Sequence, residues 1–303
     1  MYTTILVPLD GSPTAEAVLP YARFFAKALR LPVELLHAID PDIVAIYSNP
    51  RYVRSEKSFE ASLMDRNLGY LKKLENIFSE PSTVSCSVEV GTPEDVIITR
   101  AGAHPDTLIA MATHGHSGVQ RWLLGNVAEK VLQTATNHLL LVRGTEETKT
   151  IETPLKTVIV PLDGSPLAEQ VLPHVSGIAG QMDLEVVLIR VYAIPMTYFT
   201  APDYYIPIDR VLEAVKKEVE QYLDGKVEEL RREGLKRVSS TSVEGDSAEQ
   251  IIEVAKRTPH NFIAMCTHGR SGIGRLVLGS VTSRVVRHSG NPVLVIRVPG
   301  ESR

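Results

Sequence analysis

The chain of 303 residues has an ordinary globular composition, with 44% hydrophobic and 22% charged residues and a net charge of −4. Its length predicts two domains, and its acidic balance argues against a nucleic-acid or anionic-membrane partner. No apolar run reaches the roughly 18 residues of a membrane span, and the N-terminus lacks the pattern of a signal peptide. Cys86 and Cys266 suggest no disulfide framework. We therefore expect a cytoplasmic protein.

Short β-rich runs alternate with helical patterns from residue 3 to residue 142. The patterns predict strands at 3–9, 33–39, 84–90, 107–112 and 138–142, and helices at 13–28, 57–78, 93–103 and 118–135. Thr92 is predicted to open the third of these helices, with Asp95 placed for a capping box. Residues 42–56 read as a link without regular structure.

The same order of elements returns after residue 156. Strands are predicted at 157–162, 184–192, 238–244, 262–266 and 292–298, and helices at 166–179, 208–232, 247–256 and 273–288. Strict βα alternation predicts a parallel sheet with helices on both faces, a doubly wound α/β domain. In such folds a ligand lies beyond the carboxyl ends of the strands.

Two sequence stretches occur once in each half. ILVPLDGSPTAEAVLP (5–20) matches VIVPLDGSPLAEQVLP (158–173), and MATHGHSGVQRWLLGN (111–126) matches MCTHGRSGIGRLVLGS (265–280). Such internal repetition indicates a duplicated unit. We predict a first domain at 1–144, a polar linker at 145–154 and a second domain at 155–303.

The first repeated stretch contains a helix start and an aspartate. Ser12 and Ser165, each followed by proline, are placed as helix N-caps. Asp10 and Asp163 follow a strand, where a carboxylate can accept from a ribose hydroxyl or reach a cation. A role in forming the turn is the alternative.

The second repeated stretch has glycines at a fixed distance. Gly115 is followed by nine residues and Gly125-Asn126, and Gly269 by nine residues and Gly279-Ser280. Glycine-rich loops that lead into a helix can bind phosphate through backbone N–H groups. A structural turn with close helix packing explains the spacing equally well. Neither the Walker A motif nor G-x-G-x-x-G is present in the sequence.

These motifs resemble those of the universal stress protein family, whose nucleotide-binding branch carries G-x-x-G, nine residues, then G-[ST]. The sequence departs from that pattern at Ala112, Cys266 and Asn126, and the larger Cys266 is expected to narrow the second pocket. The resemblance implies two tandem Rossmann-like (adenine nucleotide alpha hydrolase-like) domains, each with a five-stranded parallel sheet. It also implies that the domains pair through strand five about a pseudo-two-fold axis, with a homodimer of whole chains left open.

The resemblance also implies an ATP site in each domain, with Mg²⁺ bridging phosphates where a metal is bound. The implied positions in the first domain are Pro8, Asp10, Ala38, Met111, Ala112, Gly115, Gly125, Asn126 and Val127. Those in the second domain are Pro161, Asp163, Val191, Met265, Cys266, Gly269, Arg270, Gly279, Ser280 and Val281. Because Arg270 adds a positive charge, the second site is expected to favour a triphosphate.

The expected function is that of a cytosolic stress-response protein that binds ATP or another adenine nucleotide and acts as a regulatory module. No catalytic residue set and no resident metal site is expected, and His114 and His268 are interpreted as structural. The expected partners are an adenine nucleotide and an unidentified protein, without nucleic acid or membrane. A nucleotide-free interaction protein and a slow ATPase are the alternatives.

Overall fold

A computed structural model describes residues 2–47, 56–78, 83–113, 124–144, 155–194, 207–267 and 278–298. The chain divides into two compact units, Met1–Pro154 and Leu155–Arg303. No described helix has both the length and the apolar character needed to cross a bilayer.

Unit 1 is a five-stranded sheet whose neighbouring strands are all parallel, in the order β3-β2-β1-β4-β5. Its described elements are β1 (Thr4–Pro8), α1 (Pro13–Glu16), α2 (Leu19–Leu29), β2 (Val33–Ile39), α3 (Pro41–Tyr47), α4 (Glu56–Glu75), β3 (Val84–Val90), α5 (Pro93–Gly102), β4 (Thr107–Ala112), α6 (Asn126–Thr134) and β5 (Leu139–Val142).

Unit 2 repeats this arrangement, with parallel strands in the order β8-β7-β6-β9-β10. Its described elements are β6 (Thr157–Pro161), α7 (Pro166–Glu169), α8 (Val171–Met182), β7 (Glu185–Tyr192), α9 (Ile208–Arg232), β8 (Val238–Glu244), α10 (Ser247–Arg257), β9 (Asn261–Cys266), α11 (Ser280–His288) and β10 (Val293–Ile296).

The core of each unit lies around its central strands. Every residue of β4 and β9 is buried, as expected for strands that are covered by helices on both faces. In each sheet the first strand lies between the second and the fourth, so the strand order reverses there and opens a crevice at the carboxyl ends. The predicted doubly wound α/β class is confirmed.

The prediction of one continuous helix after the first strand of each copy is wrong, because two helices lie there. In unit 1 a four-residue helix ends at Glu16 and the next begins at Leu19, with Pro20 in its first turn. In unit 2 the break follows Glu169, and Pro173 lies in the first turn of α8. Proline has no N–H to donate to the preceding turn, so a continuous helix would lose a hydrogen bond there.

Residues 41–47 form helix α3, where the sequence predicted an irregular link. An Asp40 carboxylate oxygen accepts from Asp42 N at 2.9 Å, and Pro41 is the first helical residue. Val44 then packs with Ile39 in a small apolar cluster. The Asp-Pro pair is a standard helix start, so the sequence did contain the signal.

The predicted capping box at Thr92 is not formed. Thr92 precedes α5 but its side chain makes no capping bond, and Asp95 instead lies 3.6 Å from Lys130 Nζ. In unit 2 the equivalent position is Asp246, whose carboxylate does accept from Glu249 N at 3.0 Å. Only the second copy therefore has a side-chain cap at this helix.

Candidate functional site

The turn after the first strand of each unit is closed by its aspartate. An Asp10 carboxylate oxygen accepts from Ser12 N at 2.9 Å and from Ser12 Oγ at 2.6 Å, and Asp163 accepts from Ser165 N at 2.9 Å. The intervening Gly11 has φ +83°, a conformation that favours glycine. The turn-forming role considered for the aspartates is therefore real, and it orients both carboxylates.

The serines of this turn cap the following short helices, as predicted. Ser12 Oγ accepts from Ala15 N and Ser165 Oγ accepts from Ala168 N, both at 3.1 Å. Pro13 follows Ser12 at the first helical position. Each aspartate is thus carried on a rigid connection between a buried strand and a capped helix.

The second glycine of the repeated motif lies immediately before a helix. Helix α6 begins at Asn126 and α11 at Ser280, later than predicted, and Gly125 and Gly279 are their N-cap residues. Gly125 has φ −62° and Gly279 φ −58°, so neither needs glycine for its backbone angle. Their positions bring the positive end of a helix dipole to the carboxyl edge of the sheet.

The N–H groups of these two glycines are used within the protein. Gly125 N donates to Thr113 O at 2.8 Å, and Gly279 N donates to Thr267 O at 2.7 Å. These bonds tie the start of the helix to the end of the fourth strand of each unit. The N–H groups at positions 126 and 280 come next. They belong to the first helical turn, whose backbone N–H groups have no acceptor within the helix.

Unit 1 has a cavity of about 330 Å³ at this edge of its sheet. It is lined by all the described residues that were predicted for the first site: Pro8, Asp10, Ala38, Met111, Ala112, Gly125, Asn126 and Val127. Gly115 lies outside the described residues. Sequence reasoning missed the helix α5 wall, which Pro93 and Ile97 provide.

Unit 2 has a cavity of about 530 Å³ at the equivalent edge. It is lined by the described residues predicted for the second site: Pro161, Asp163, Val191, Met265, Cys266, Gly279, Ser280 and Val281. Gly269 and Arg270 lie outside the described residues, as do His114 and His268. The structure thus brings the described positions together, while their contact with a nucleotide stays a prediction.

Helix α9 and strand β7 supply residues of the second cavity that sequence reasoning missed. They include Arg190, Val215, Glu218 and Val219. Arg190 directly precedes Val191, which was predicted as a site residue. Comparing the two copies of the repeat at the position before that residue would have pointed to Arg190. That Cys266 narrows the second cavity stays a prediction.

Cys266 is a buried thiol in the floor of the second cavity. It is 5% exposed, and its Sγ lies 3.7 Å from Ala168 O. Burial raises the pKa of the Cys266 thiol to about 12, so it is protonated at neutral pH and is a weak nucleophile. Within the described ranges, no group of three His, Cys, Asp or Glu residues is arranged to hold a metal ion.

Comparison with known proteins gives matches in both halves of the chain. The model of the universal stress protein family matches residues 1–143 and 154–297. A universal stress protein of Mycolicibacterium smegmatis is 24% identical over 299 residues, covering 97% of this chain and 96% of the relative. One from Methanocaldococcus jannaschii is 32% identical over 155 residues, covering 47% of this chain and 96% of the relative.

The fold also matches a solved structure. The crystal structure of a universal stress protein from Archaeoglobus fulgidus superposes with a TM-score of 0.67 at 19% identity, covering 99% of this chain and 97% of that one. Since the family model matches nearly the whole sequence in two consecutive segments, the chain belongs to the universal stress protein family and carries two family domains.

Proposed function

We propose that the protein binds an adenine nucleotide, ATP in the first instance, in the cavity of each unit and acts as a regulatory module. One observation carries the proposal: every described residue that the family resemblance assigned to a nucleotide lines a single cavity in its own unit. Those residues come from four separate stretches of each unit, so their convergence is not a consequence of sequence proximity.

The chemistry of the cavities fits an adenine nucleotide. Met111 and Ala112 give the first cavity an apolar floor, which suits a flat base. The start of α6 at Asn126 offers backbone donors and a positive helix end, which suit phosphate. The volumes of about 330 and 530 Å³ are those of small-molecule sites.

The aspartates lie in the same cavities as carboxylate donors. Asp10 and Asp163 would accept from ribose hydroxyls or ligate a Mg²⁺ that arrives with the phosphates, because carboxylate oxygen suits this hard cation. One carboxylate in each site does not form a metal cage. The metal would therefore be held mainly by the nucleotide and water.

The nucleotide-free alternative is favoured by a different observation. The N–H groups of Gly125 and Gly279 and the carboxylates of Asp10 and Asp163 all make bonds within the protein. Each of these residues consequently has a structural explanation that does not involve a ligand. A binding experiment is therefore needed to decide between the two functions.

The experiment is a search for released nucleotide followed by calorimetry. The purified protein is denatured and the supernatant examined for adenine nucleotides, and nucleotide-stripped protein is then titrated with Mg-ATP. We expect binding, and a raised melting temperature, because ligand at about 100 times its dissociation constant adds about 2.7 kcal/mol per site. Absence of released nucleotide, binding heat and thermal shift would refute the proposal.

The regulatory assignment is tested separately by single-turnover phosphate release. A slow release that does not exceed the rate of ATP dissociation is expected for a regulator. Rapid, multiple-turnover release would instead establish the ATPase alternative. The double variant Gly125→Val and Gly279→Val is the control, because valine fills the space before both helices while keeping the N–H that each glycine donates.

A further inference from the structure

Strand β7 places an arginine with unused hydrogen-bond donors in the wall of the second cavity. Arg190 is 8% exposed and lines this cavity immediately before Val191. Its side chain makes neither a hydrogen bond nor an ion pair with any residue that the structure describes. A guanidinium carries five N–H donors and is charged at all physiological pH values. Because buried donors are normally satisfied, this one points to a ligand that supplies the acceptors.

Two neighbours hold the guanidinium of Arg190 in place. Its Cζ lies 4.6 Å from the centre of the Tyr222 ring, a cation–π contact with helix α9. An added Cβ at Gly164 would lie 2.9, 3.0 and 3.1 Å from Nη2, Cζ and Nη1. Since these three distances are nearly equal, Gly164 lies over the face of the guanidinium plane. The N–H groups point outward within that plane, so Gly164 orders the cation without blocking its donors.

Glu169 is an acid of this region whose carboxylate is satisfied by other residues. Tyr222 Oη donates to Glu169 at 2.7 Å, and Lys226 Nζ lies 2.9 Å from the same carboxylate. Burial acts to raise the pKa of Glu169, but the bonds from Lys226 and Tyr222 and the charges of Lys226 and Arg190 lower it overall. Arg190 therefore acts on Glu169 through its charge, and its N–H groups stay available.

The remaining acids show what kind of ligand can bind here. The charged residues among the described lining of the cavity are Asp163, Arg190 and Glu218, and Glu218 is exposed. With Glu169 and its lysine the region holds three negative and two positive charges, so its overall charge does not attract an anion. Binding at Arg190 must come from short, directed hydrogen bonds. A carboxylate or phosphate group accepts two parallel N–H bonds from a guanidinium, which a chloride ion cannot do.

Unit 1 has a different residue at the equivalent position. The counterpart of Arg190 is His37, and an imidazole has no planar fork of donors. The two turns have the same backbone, since Gly11 has φ +83° and Gly164 has φ +82°. An added Cβ at Gly11 would meet no described atom within 4 Å. Only the turn of unit 2 therefore supports a guanidinium among the described residues.

We propose that Arg190 forms an oxyanion subsite in the second cavity, which binds a carboxylate or phosphate group through two parallel hydrogen bonds. The subsite lies on β7 beside the turn after β6, whereas the proposed nucleotide phosphates would lie at the start of α11. The inference thus goes beyond the proposed function and does not depend on it. Acetate and inorganic phosphate represent the two chemical sources of such a group.

The test titrates the nucleotide-stripped full chain with inorganic phosphate and, separately, with acetate. Binding is measured by calorimetry at neutral pH and at constant ionic strength set with sodium chloride. We expect saturable binding of at least one anion, and the anion that binds identifies the group that the subsite accepts. Arg190→Gln should weaken this binding about tenfold or more, because it removes charged hydrogen-bond donors. Arg210→Gln, at an exposed arginine of α9, is the control and should leave the affinity unchanged.

Two glycine exchanges keep the test decisive if Arg190→Gln fails to fold. Gly164→Ala and Gly11→Ala place a side chain on the same left-handed backbone, so both should lower the melting temperature by similar amounts. Only Gly164→Ala presses a methyl group against the guanidinium. It alone should weaken anion binding, by about threefold or more, because hydrogen bonds weaken when their geometry is displaced.

The possible failures are distinguishable. The subsite is overturned if neither anion binds saturably, or if the affinity is the same in the parent and in Arg190→Gln, as for phosphate held only at the start of α11. Equal anion affinities of Gly164→Ala and Gly11→Ala would also overturn it. Failure of ATP to bind, with anion binding retained, would refute the proposed function and leave the subsite standing.

Discussion

Equivalent residues of the repeated motifs line the two cavities. The cavities differ in what the long helix after the second strand of each unit contributes to the lining. In unit 2, helix α9 contributes Val215, Glu218 and Val219 to the cavity wall. Among the described lining residues of unit 1, none comes from the equivalent helix α4. Duplicated motifs therefore line both cavities, whereas among the described residues the long helix lines the second cavity and not the first.

A second difference concerns how the helices beside each cavity are joined. Lys130 of α6 lies 2.9 Å from Glu94 of α5, while Arg284 of α11 lies 2.9 Å from Asp246, the N-cap of α10. In both units a basic side chain of one helix pairs with an acid at the start of the other, but the acid has moved by two positions in the alignment. The two units therefore use different acids to join these helices.

The largest expected effect separates the two sites. Gly279→Val should weaken ATP binding at the second cavity by more than about hundredfold, roughly 2.7 kcal/mol, because its side chain would enter the space before α11. The backbone angles at this residue, φ −58° and ψ 145°, accept valine without strain. Calorimetry should show loss of one binding site.

Gly125→Val is the matched variant for the first cavity. It should remove the other site, and the free energy of unfolding should change little in either variant. Retention of full stoichiometry in both proteins would show that these glycines serve packing alone.

Of two asparagines at equivalent positions in the two units, Asn137 should contribute more to the free energy of unfolding. Its Nδ2 lies within 3.2 Å of the carbonyl oxygens of Ala101, His104 and Thr107, and the residue is 2% exposed. Asn137→Ala should lower the free energy of unfolding by about 2 kcal/mol, because several buried carbonyl groups each lose one donor. Urea denaturation measures the change.

The equivalent residue in unit 2, Asn291, is the control. It is only partly buried, and its backbone N–H, not its side chain, donates to Ser289 Oγ. Asn291→Ala should therefore change the free energy of unfolding by less than about 0.5 kcal/mol. Equal losses in the two variants would contradict the assigned roles.

The serine caps of the helices after the first strand should stabilise the two units by similar free energies. Ser12→Ala and Ser165→Ala should each cost about 1 kcal/mol of unfolding free energy, because an N–H at the helix start loses its acceptor. Ser12→Ala should cost more, since Ser12 Oγ also donates to Asp10 at 2.6 Å. Thermal unfolding of Ser12→Thr, which keeps the hydroxyl, should resemble that of the parent protein.

The smallest effect concerns an ion pair of unit 2. Lys226 Nζ lies 2.9 Å from Glu169, and unit 1 has Leu74 at the position equivalent to Lys226. Lys226→Leu, which copies the leucine of unit 1, should cost about 0.5 kcal/mol of unfolding free energy at pH 7. Because the folded-state pKa of Glu169 is lowered, its contribution is present above the unfolded pKa and is lost as the pH falls through the folded value. The difference between variant and parent should therefore shrink as the pH falls from the unfolded pKa of about 4.3 through the lower folded one.

Lys216→Leu is the control for this pH series. Lys216 lies 3.7 Å from Glu220 on the same helix, and both side chains are about half exposed. Its removal should have no measurable effect on stability at either pH. A pH-independent cost for Lys226→Leu would indicate that the alkyl chain of the lysine, not its charge, stabilises the unit.

Strands were predicted well because they are short apolar runs with clear ends. The bounds of β2, β3, β4 and β8 agree with the predictions residue by residue. The predicted helix starts at Pro13, Pro93, Pro166, Ile208 and Ser247 agree as well. The main exceptions are α6 and α11, which begin eight and seven residues later than predicted. At Gly125 the start of α6 was decided by a bond from its N–H to Thr113 O, which joins the helix to a strand end.

The sequence by itself determined the duplicated βα order, the family and the positions that converge on each cavity, because all three are carried by local patterns and repeated motifs. Only the tertiary structure decided that helix α9 lines the second cavity and that a buried arginine, Arg190, lies in its wall. Arg190 meets Tyr222 and Gly164 from separate elements, and such contacts arise only when helix α9 packs beside the sheet. No local pattern around residue 190 encodes that neighbourhood.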